Sequence, residues 1–491
     1  MQLAEELRIS LQAFLAGASV EIRENGTRLS ARPPLSWEVR GASEKPLLHL
    51  WGENCNMTRR VLAIADQNEL CLGLSVERFG RGRPDRLEIL RLNFERDAKK
   101  VSREAYCGQL RRILSQQFPD ETIEKLSVAP DLEHSLSGMY ARGVAMRGHS
   151  AIVFLAVPDE DTPDGVEHAL SYALLWHSRA GQPAGRRGRA ALRLIVPRGK
   201  SLVLCDRLAA LDPRLRVELY ELDVQREEVA RLNTGEGNQA TWLVARGEAQ
   251  ILLERAAADL APIVALAPEA ISLHPSVQEK FVLMRYRGLA FARWQDSRVY
   301  FDVNGLWMER TPESNVALQQ LVLNLRQFRD ANSTDVRHPL YRAKTERWLQ
   351  SLVMQDVSRV DLQLDSSLVY EQVLAESAGR HGILDLLCIT RGGRLAILEL
   401  KTSEHLHLPL QASEYWARIR RHQSSGDLQR YGYFPGRTLQ AAAPVVYLVA
   451  PALHFHPSTE TLLSYLHPEM EVRRVGLAEY WRRGLHVVTR K

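Results

Sequence analysis

Cysteine is scarce in this chain and never clustered. Its five cysteines, Cys55, Cys71, Cys107, Cys205 and Cys388, stand far apart, with no C-x2-C pair. That spacing argues against a zinc ribbon or a disulfide scaffold and points to a reducing compartment. Long apolar runs are missing too: nothing approaches about eighteen uninterrupted apolar residues, so no membrane span is expected. The opening MQLAEELRIS is acidic and amphipathic, unlike a secretory n-region, and the expected location is the cytoplasm. Charge of one sign is in short supply. A net +5 over 491 residues neither demands nor forbids a polyanionic partner. The phosphate-loop signature is absent as well. RGKS (198–201) resembles its end, but Leu194 stands where that loop needs glycine. RGKS reads instead as a hairpin turn between LRLIV and LVLC.

What is present is an ordinary globular composition, 45% hydrophobic and 25% charged, with no repeat of fixed period. The length suggests about three or four domains. Residues 1–100 read as β-rich, with strand-like runs at 47–51, 59–65, 70–76 and 87–92. Residues 101–225 alternate helix and strand: helices at 103–117 and 164–178, strands at 151–157, 191–196, 202–205 and 215–222. Residues 226–330 are mixed and include the hairpin RVYFDVNGLWME, whose Asn304-Gly305 suits a type I′ turn. The polar run DANSTDVRHP (330–339) reads as a linker, and a last domain spans 336–491. The expected class is α/β and α+β multidomain with a β-rich N-terminal domain.

Chemistry concentrates in ILDLLCITRGGRLAILELK (383–401), two apolar runs interrupted by Asp385, Glu399 and Lys401. Burying such charges is costly unless they are paired or hold a cation. Period-2 alternation puts Glu399 and Lys401 on one strand face with Ile397 and Leu395, and Asp385 on a face with Ile383 and Leu387. If Arg391-Gly392-Gly393 forms a three-residue loop with a left-handed glycine, Asp385 lies opposite Glu399, with Cβ atoms about 5 Å apart. A two-residue Gly-Gly turn would shift the pairing by one. Carboxylates so placed repel unless a cation lies between them, and Mg²⁺ or Mn²⁺ suits them.

Upstream, TERWLQSLVMQD (345–356) fits a helix with Leu349, Leu352 and Val353 as its apolar stripe and Glu346 at the stripe's edge. Downstream, LPLQASEYWARIRRHQ (408–423) fits a helix with Gln411, Tyr415, Arg418 and His422 in one polar line. Ala412, Trp416 and Ile419 line another face.

A Glu helix, a strand with Asp, a hairpin into E-x-K, then a helix with Q-x3-Y: in this order the residues resemble the PD-(D/E)XK, or restriction-endonuclease-like, nucleases. They are most similar to the Q-x3-Y branch, which includes RecB-type recombination nucleases and NucS-type endonucleases. GILDLLCITRGGRLAILELK is close to the NucS-type G-x-x-D-L-L, a turn, then I-E-L-K. The resemblance covers about 150 C-terminal residues. It implies an α/β core with a central mixed sheet flanked by helices, and Mg²⁺ or Mn²⁺ as cofactor. DNA is the implied partner, with RNA not excluded and a homodimer left open. By the same resemblance Asp385 and Glu399 would bind the metal and the Leu400 carbonyl would add an oxygen. Lys401 would position or polarise the attacking water, and Glu346 would reach the metal or its waters. Gln411 and Tyr415 would contact the substrate strand or brace the site. Two departures stand out: no proline precedes Asp385, and the cysteine quartet of cluster-binding RecB relatives is missing.

Bland readings stand beside these. Asp385, Glu399 and Lys401 could form a structural ion-pair network, Glu346 could complement a helix dipole, and Gln411 and Tyr415 could face solvent. Arg418, Arg420 and Arg421, with Arg473/Arg474 and Arg482/Arg483, could grip phosphates or be solvated charges. The basic loop with Arg186, Arg187 and Arg189 reads as a surface loop, and His405/His407 and His454/His456 as surface histidines. Glu371 reads as a strand-end surface residue, and Asp159, Glu160 and Asp161 as acids before a helix start. The order of elements across 103–222 resembles a second nuclease-like core without E-x-K, suited to DNA binding or dimerisation. The expected function is a metal-dependent nuclease acting on DNA, its N-terminal domains serving recognition or dimerisation. The alternatives are an inactive nucleic-acid-binding protein, or a structural, partner-binding subunit on the same scaffold.

Overall fold

The computed structural model describes residues 3–491 except 16–19, 26, 31–35, 42–44, 53–54, 69–70, 78–83, 132–133, 159–162, 181–189, 234–240, 304, 372 and 377–384. Asp159, Glu160, Asp161, Arg186, Arg187, Arg189 and Asn304 therefore lie outside the described residues. The chain is a mixed α/β protein of several sheets, divided into two compact units, Met1–Arg112 and Ile113–Lys491. Among the described residues no helix is long and apolar enough to cross a membrane.

The first unit is β-rich. A helix, Leu3–Leu15, lays Leu7, Leu11 and Phe14 into the core of a seven-stranded antiparallel sheet. The four expected strands appear as Leu47–Gly52, Cys55–Gln67, Cys71–Glu77 and Asp85–Arg91.

The second unit carries three larger sheets. The first contains β1 (Thr122–Ser127), β2 (Ala141–Arg147), β3 (Ser150–Ala156), β4 (Ala191–Pro197), β5 (Val217–Asp223) and β6 (Glu228–Leu232), side by side in that order. Helix α1 (Pro163–Ala180) joins β3 to β4, and α2 (Leu202–Ala209) joins β4 to β5. The strand expected at 202–205 is thus the start of a helix, and RGKS leads into that helix instead of turning a hairpin. Leu204, Cys205 and Leu208 are buried at helical spacing. A short apolar run such as LVLC fits either structure, and the parallel pairing of β4 with β5 demands a crossover.

An antiparallel meander follows, β7 (Ile271–Ser276), β8 (Phe281–Tyr286), β9 (Leu289–Gln295), β10 (Arg298–Val303) and β11 (Leu306–Glu309). It shares a separate core with α3 (Arg246–Val264) and α4 (Asn315–Phe328). The residues flanking the run 330–339 are tied to each other. Arg329 is fully buried and donates to the carbonyls of Leu340 and Ala343 at 2.7 Å each, which joins the two ends of the run.

The C-terminal layer begins with α5 (Thr345–Gln355), close to its expected span. Its sheet orders β12 (Leu386–Ile389), β13 (Leu395–Leu400), β14 (Val445–Pro451), β15 (Val472–Leu477) and β16 (Val487–Arg490). Helix α6 (Leu408–Ser424) lies between β13 and β14, and α7 (Thr459–Leu463) between β14 and β15. Strands β12, β13 and β14 are buried on both faces, as their continuous apolar runs require, whereas the edge strand β16 is largely exposed. Ala396, Leu398 and Leu400 pack with Trp348 and Leu349 of α5, whereas Leu395 and Ile397 pack on the side of α6. The core on the α6 side runs without interruption into α1, α2 and the first sheet, so the stretches expected as separate domains at 101–225 and 336–491 share one hydrophobic interior.

Candidate metal-binding site

The hairpin settles its own register. Leu386 pairs with Leu398 and Ile389 with Leu395, and Thr390 N donates to Arg394 O at 2.7 Å. The loop is therefore the three residues 391–393, and Gly393 holds φ +85°, in the left-handed region. One step beyond the Leu386–Leu398 pair, Asp385 falls opposite Glu399, as expected for the three-residue loop. A side chain at Gly393 would also put its Cβ 2.3 Å from the Thr438 carbonyl oxygen.

Glu399 has no exposed surface, and its Oε2 is buried with no hydrogen-bond partner. Its Oε1 receives Lys401 Nζ at 3.4 Å, and the same ammonium lies 3.5 Å from Glu346 Oε2. Asp385 Oδ2 accepts from Leu400 N at 2.9 Å. Burial, then repulsion from Asp385, pushes the Glu399 carboxyl well above the usual carboxylate range. Burial also raises Asp385, against the pull of Lys401 and the Leu400 amide. For Lys401 burial works against the charge, but Glu399, Glu346 and Asp385 outweigh it and keep the ammonium more basic than usual.

Around this group the neighbouring helices act as braces. Thr345 and Thr402 join their hydroxyls at 2.7 Å, which ties the start of α5, and with it Glu346, to the end of β13. Tyr415 on α6 is buried, hydrogen-bonded with Gln411, and its hydroxyl is held well above the ordinary range by burial and the nearby Glu399. Of the Q-x3-Y pair, Tyr415 is near enough to Glu399 and Asp385 to feel their charge, and Gln411 is hydrogen-bonded to it.

The arginines behave differently. Arg418 is buried, with Nε 2.9 Å from Asp206 and Nη2 2.6 Å from Glu414, so its fork faces protein. Arg421 Nη1 lies 2.6 Å from Asp206, and Arg420 reaches the Ala441 carbonyl at 3.0 Å and Glu469 at 3.6 Å. Arg473 pairs with Asp361 and Glu471, and Arg474 with Glu460. The polar line of α6 thus faces inward and not toward solvent.

Several residues carry more than their sequence context suggested. Gln350, one turn after Glu346, is buried and donates to the Asp385 carbonyl at 2.9 Å and to Glu371 Oε2 at 3.1 Å. The i, i+4 relation to Glu346 was the visible signal for it. Glu371, expected at the surface, is instead paired with His274 and, at 3.1 Å, with Arg285 of the meander. Burial opposes its charge, but His274 and Arg285 hold its carboxyl down at about 2. Of the histidines expected at the surface, His405 and His407 turn inward, whereas the His454 side chain stays exposed. His407 stacks on His168 at 3.8 Å, with its Nδ1 2.8 Å from Ser171 Oγ, and burial holds it down at about 2. Burial and the Lys401 charge keep His405 neutral down to about 4.

Among the described residues, no three His, Cys, Asp or Glu side chains stand close enough to enclose one ion. Asp385 and Glu399 offer two carboxylates, and the partnerless Oε2 is an open ligand position that a hard cation would fill. Such a cation would complete its shell with water, as Mg²⁺ and Mn²⁺ commonly do. No protein-family model matches the chain, and no curated protein matches it.

Proposed function

We propose that the C-terminal layer is a restriction-endonuclease-like core and that the chain is a Mg²⁺- or Mn²⁺-dependent nuclease that hydrolyses phosphodiester bonds in DNA. The observation that carries this reading is a fully buried Glu399 with the half-buried Asp385 in register opposite it, one Glu399 oxygen being left partnerless beside a charged lysine. A fold that needed this pair only for stability would do better with apolar residues or with full pairing.

In this reading Asp385 and Glu399 would hold the cation, the Leu400 carbonyl would add an oxygen, and Glu346 would reach the ion through its waters. When bound, it neutralises phosphate oxygens and lowers the pKa of a bound water. Lys401, kept charged by three carboxylates, orients the attacking water and adds positive charge beside the scissile phosphate. Tyr415, hydrogen-bonded to Gln411, would line the site from α6, and Gln350 fixes the Asp385 backbone from α5. Arg420 and Arg421, half-buried at the end of α6, are the arginines of that helix nearest to open solvent, whereas Arg418 serves the interior. The first unit and the meander would supply recognition of the substrate.

A panel of single-stranded, double-stranded, mismatched and branched DNA, with RNA beside it, tests the reading in Mg²⁺ or Mn²⁺. Cleavage is expected in the wild type and lost in Glu399→Ala and Lys401→Ala. Equal activity in those variants would reject this site.

A further inference from the structure

The first sheet of the second unit repeats the C-terminal one. Strands β2 to β6 and β12 to β16 have the same spatial order and the same directions: antiparallel, parallel, parallel, antiparallel. A helix joins the second strand to the third and another joins the third to the fourth in both: α1 and α2 in one, α6 and α7 in the other.

The match extends to single residues. The first parallel pair is Ile152–Ala191 in one sheet and Ala396–Val445 in the other. At the far end Val157 N donates to Ile195 O at 2.9 Å, and Lys401 N donates to Val449 O at 2.9 Å. Counting along the strands sets Leu155 at the place of Glu399 and Val157 at the place of Lys401. Phe154 pairs with Gly143 as Leu398 pairs with Leu386, so Arg142 takes the place of Asp385. Leu155 and Val157 pack into the same interior as α1, the counterpart of α6. Arg142 turns to the carbonyls of Ser137 and Ala129. At these three positions the first sheet has no carboxylate and no lysine.

The two sheets also meet as two subunits of a symmetric dimer would. Helix α1 touches α7, and its counterpart α6 touches α2, the counterpart of α7. That reciprocity is the mark of an isologous interface. Polar contacts follow it on both arms: Arg207 of α2 reaches Glu414 of α6 at 2.7 Å, and His177 of α1 reaches the Tyr465 hydroxyl, just past α7, at 2.8 Å. A backbone bridge between Leu211 and Leu466 closes the seam.

We propose that β1–β6 with α1 and α2 is a built-in partner, a second copy of the C-terminal core that has lost the cation-binding side chains and occupies the face where another chain would dock. The chain then works alone, carries one cation centre in a two-core body, and breaks one strand per encounter with a duplex. The cation centre and the strand count rest on the nuclease reading, and the built-in partner does not.

The test combines sedimentation velocity of the full chain, Mn²⁺ titration by calorimetry and cleavage of a supercoiled plasmid in Mn²⁺, with Glu399→Ala beside the wild type. The expected results are the mass of one chain across the micromolar range, and Mn²⁺ binding lost as a whole in the variant. Open circles should accumulate before any linear plasmid. A two-chain mass, or half of the Mn²⁺ binding surviving in Glu399→Ala, would overturn the built-in partner. Linear plasmid forming without prior open circles would overturn the single-strand step. A monomer that cleaves nothing, or cleaves equally with Glu399→Ala, would overturn the nuclease reading and still support the built-in partner.

Discussion

Burying the Glu399 charge costs several kcal/mol unless it is compensated, and Lys401 reaches only one of its two oxygens. The carboxyls of Glu399 and Asp385 are both raised in the folded chain, so the folded state holds protons that the unfolded state has released. Stability therefore falls as pH rises above the ordinary carboxylate range, the reverse of a well-paired acid. Glu399→Gln keeps the shape and removes the charge. In chelator at pH 8 it should be more stable than wild type by about 1–3 kcal/mol, and urea denaturation should show the gap closing toward pH 4. The same variant should lose cleavage by roughly 10²-fold or more. A variant both less stable and fully active would remove the functional reason for the buried charge.

Glu371 runs the other way. Its carboxyl is held at about 2 by His274 and Arg285, so its stabilising contribution is complete above the unfolded value and is lost as pH falls from about 4.5 toward 2. Glu371→Gln should destabilise the protein at pH 7 by on the order of 3 kcal/mol, with the difference from wild type shrinking through that acid window. Thermal melts at pH 7, 4 and 3 read it directly.

At the scale of elements, the Arg391–Gly393 loop decides whether two carboxylates face each other. Gly393→Ala forces a left-handed side chain against the Thr438 carbonyl, and should cost about 1–3 kcal/mol while weakening Mn²⁺ binding through the displaced strand end. Unchanged melting and unchanged calorimetric Mn²⁺ affinity would detach the loop from the site. This loop shows what local pattern can reveal. Two apolar strands around Arg391-Gly392-Gly393 announce the hairpin, while pattern alone leaves its register open between a two- and a three-residue loop, and helices 345–355 and 408–424 announce themselves by their stripes. The α2 helix did not, because eight residues of mostly apolar sequence carry no periodicity long enough to tell strand from helix. The partners of Glu371 were illegible for a different reason: His274 lies 97 residues away, and only tertiary packing brings it there. A polar line on a helix implies solvent only when nothing polar is waiting opposite, and Asp206 of α2 waits opposite Arg418.

For the whole molecule, the seam between the two α/β layers holds together a single interior. Arg207 is almost fully buried between Glu414 and Glu167, and its pairs are 2.7 and 2.5 Å long. Arg207→Met should cost about 3–5 kcal/mol, because it leaves acids with less compensation inside. Since one core spans both layers, calorimetry should show them unfolding in one transition that moves as a unit. Two separate transitions, only one of them shifted, would mean that the layers are independent domains.

The central claim is that Asp385 and Glu399 are kept face to face to hold a hard divalent cation. Anomalous diffraction from crystals soaked in Mn²⁺ tests it most directly. The account predicts a Mn²⁺ peak within ligating distance of both carboxylates, at roughly 2.0–2.5 Å, absent from Glu399→Ala crystals. A site that stays empty at saturating Mn²⁺, with Lys401 still bridging Glu399 and Glu346, would contradict it and leave the charges as an ion-pair network.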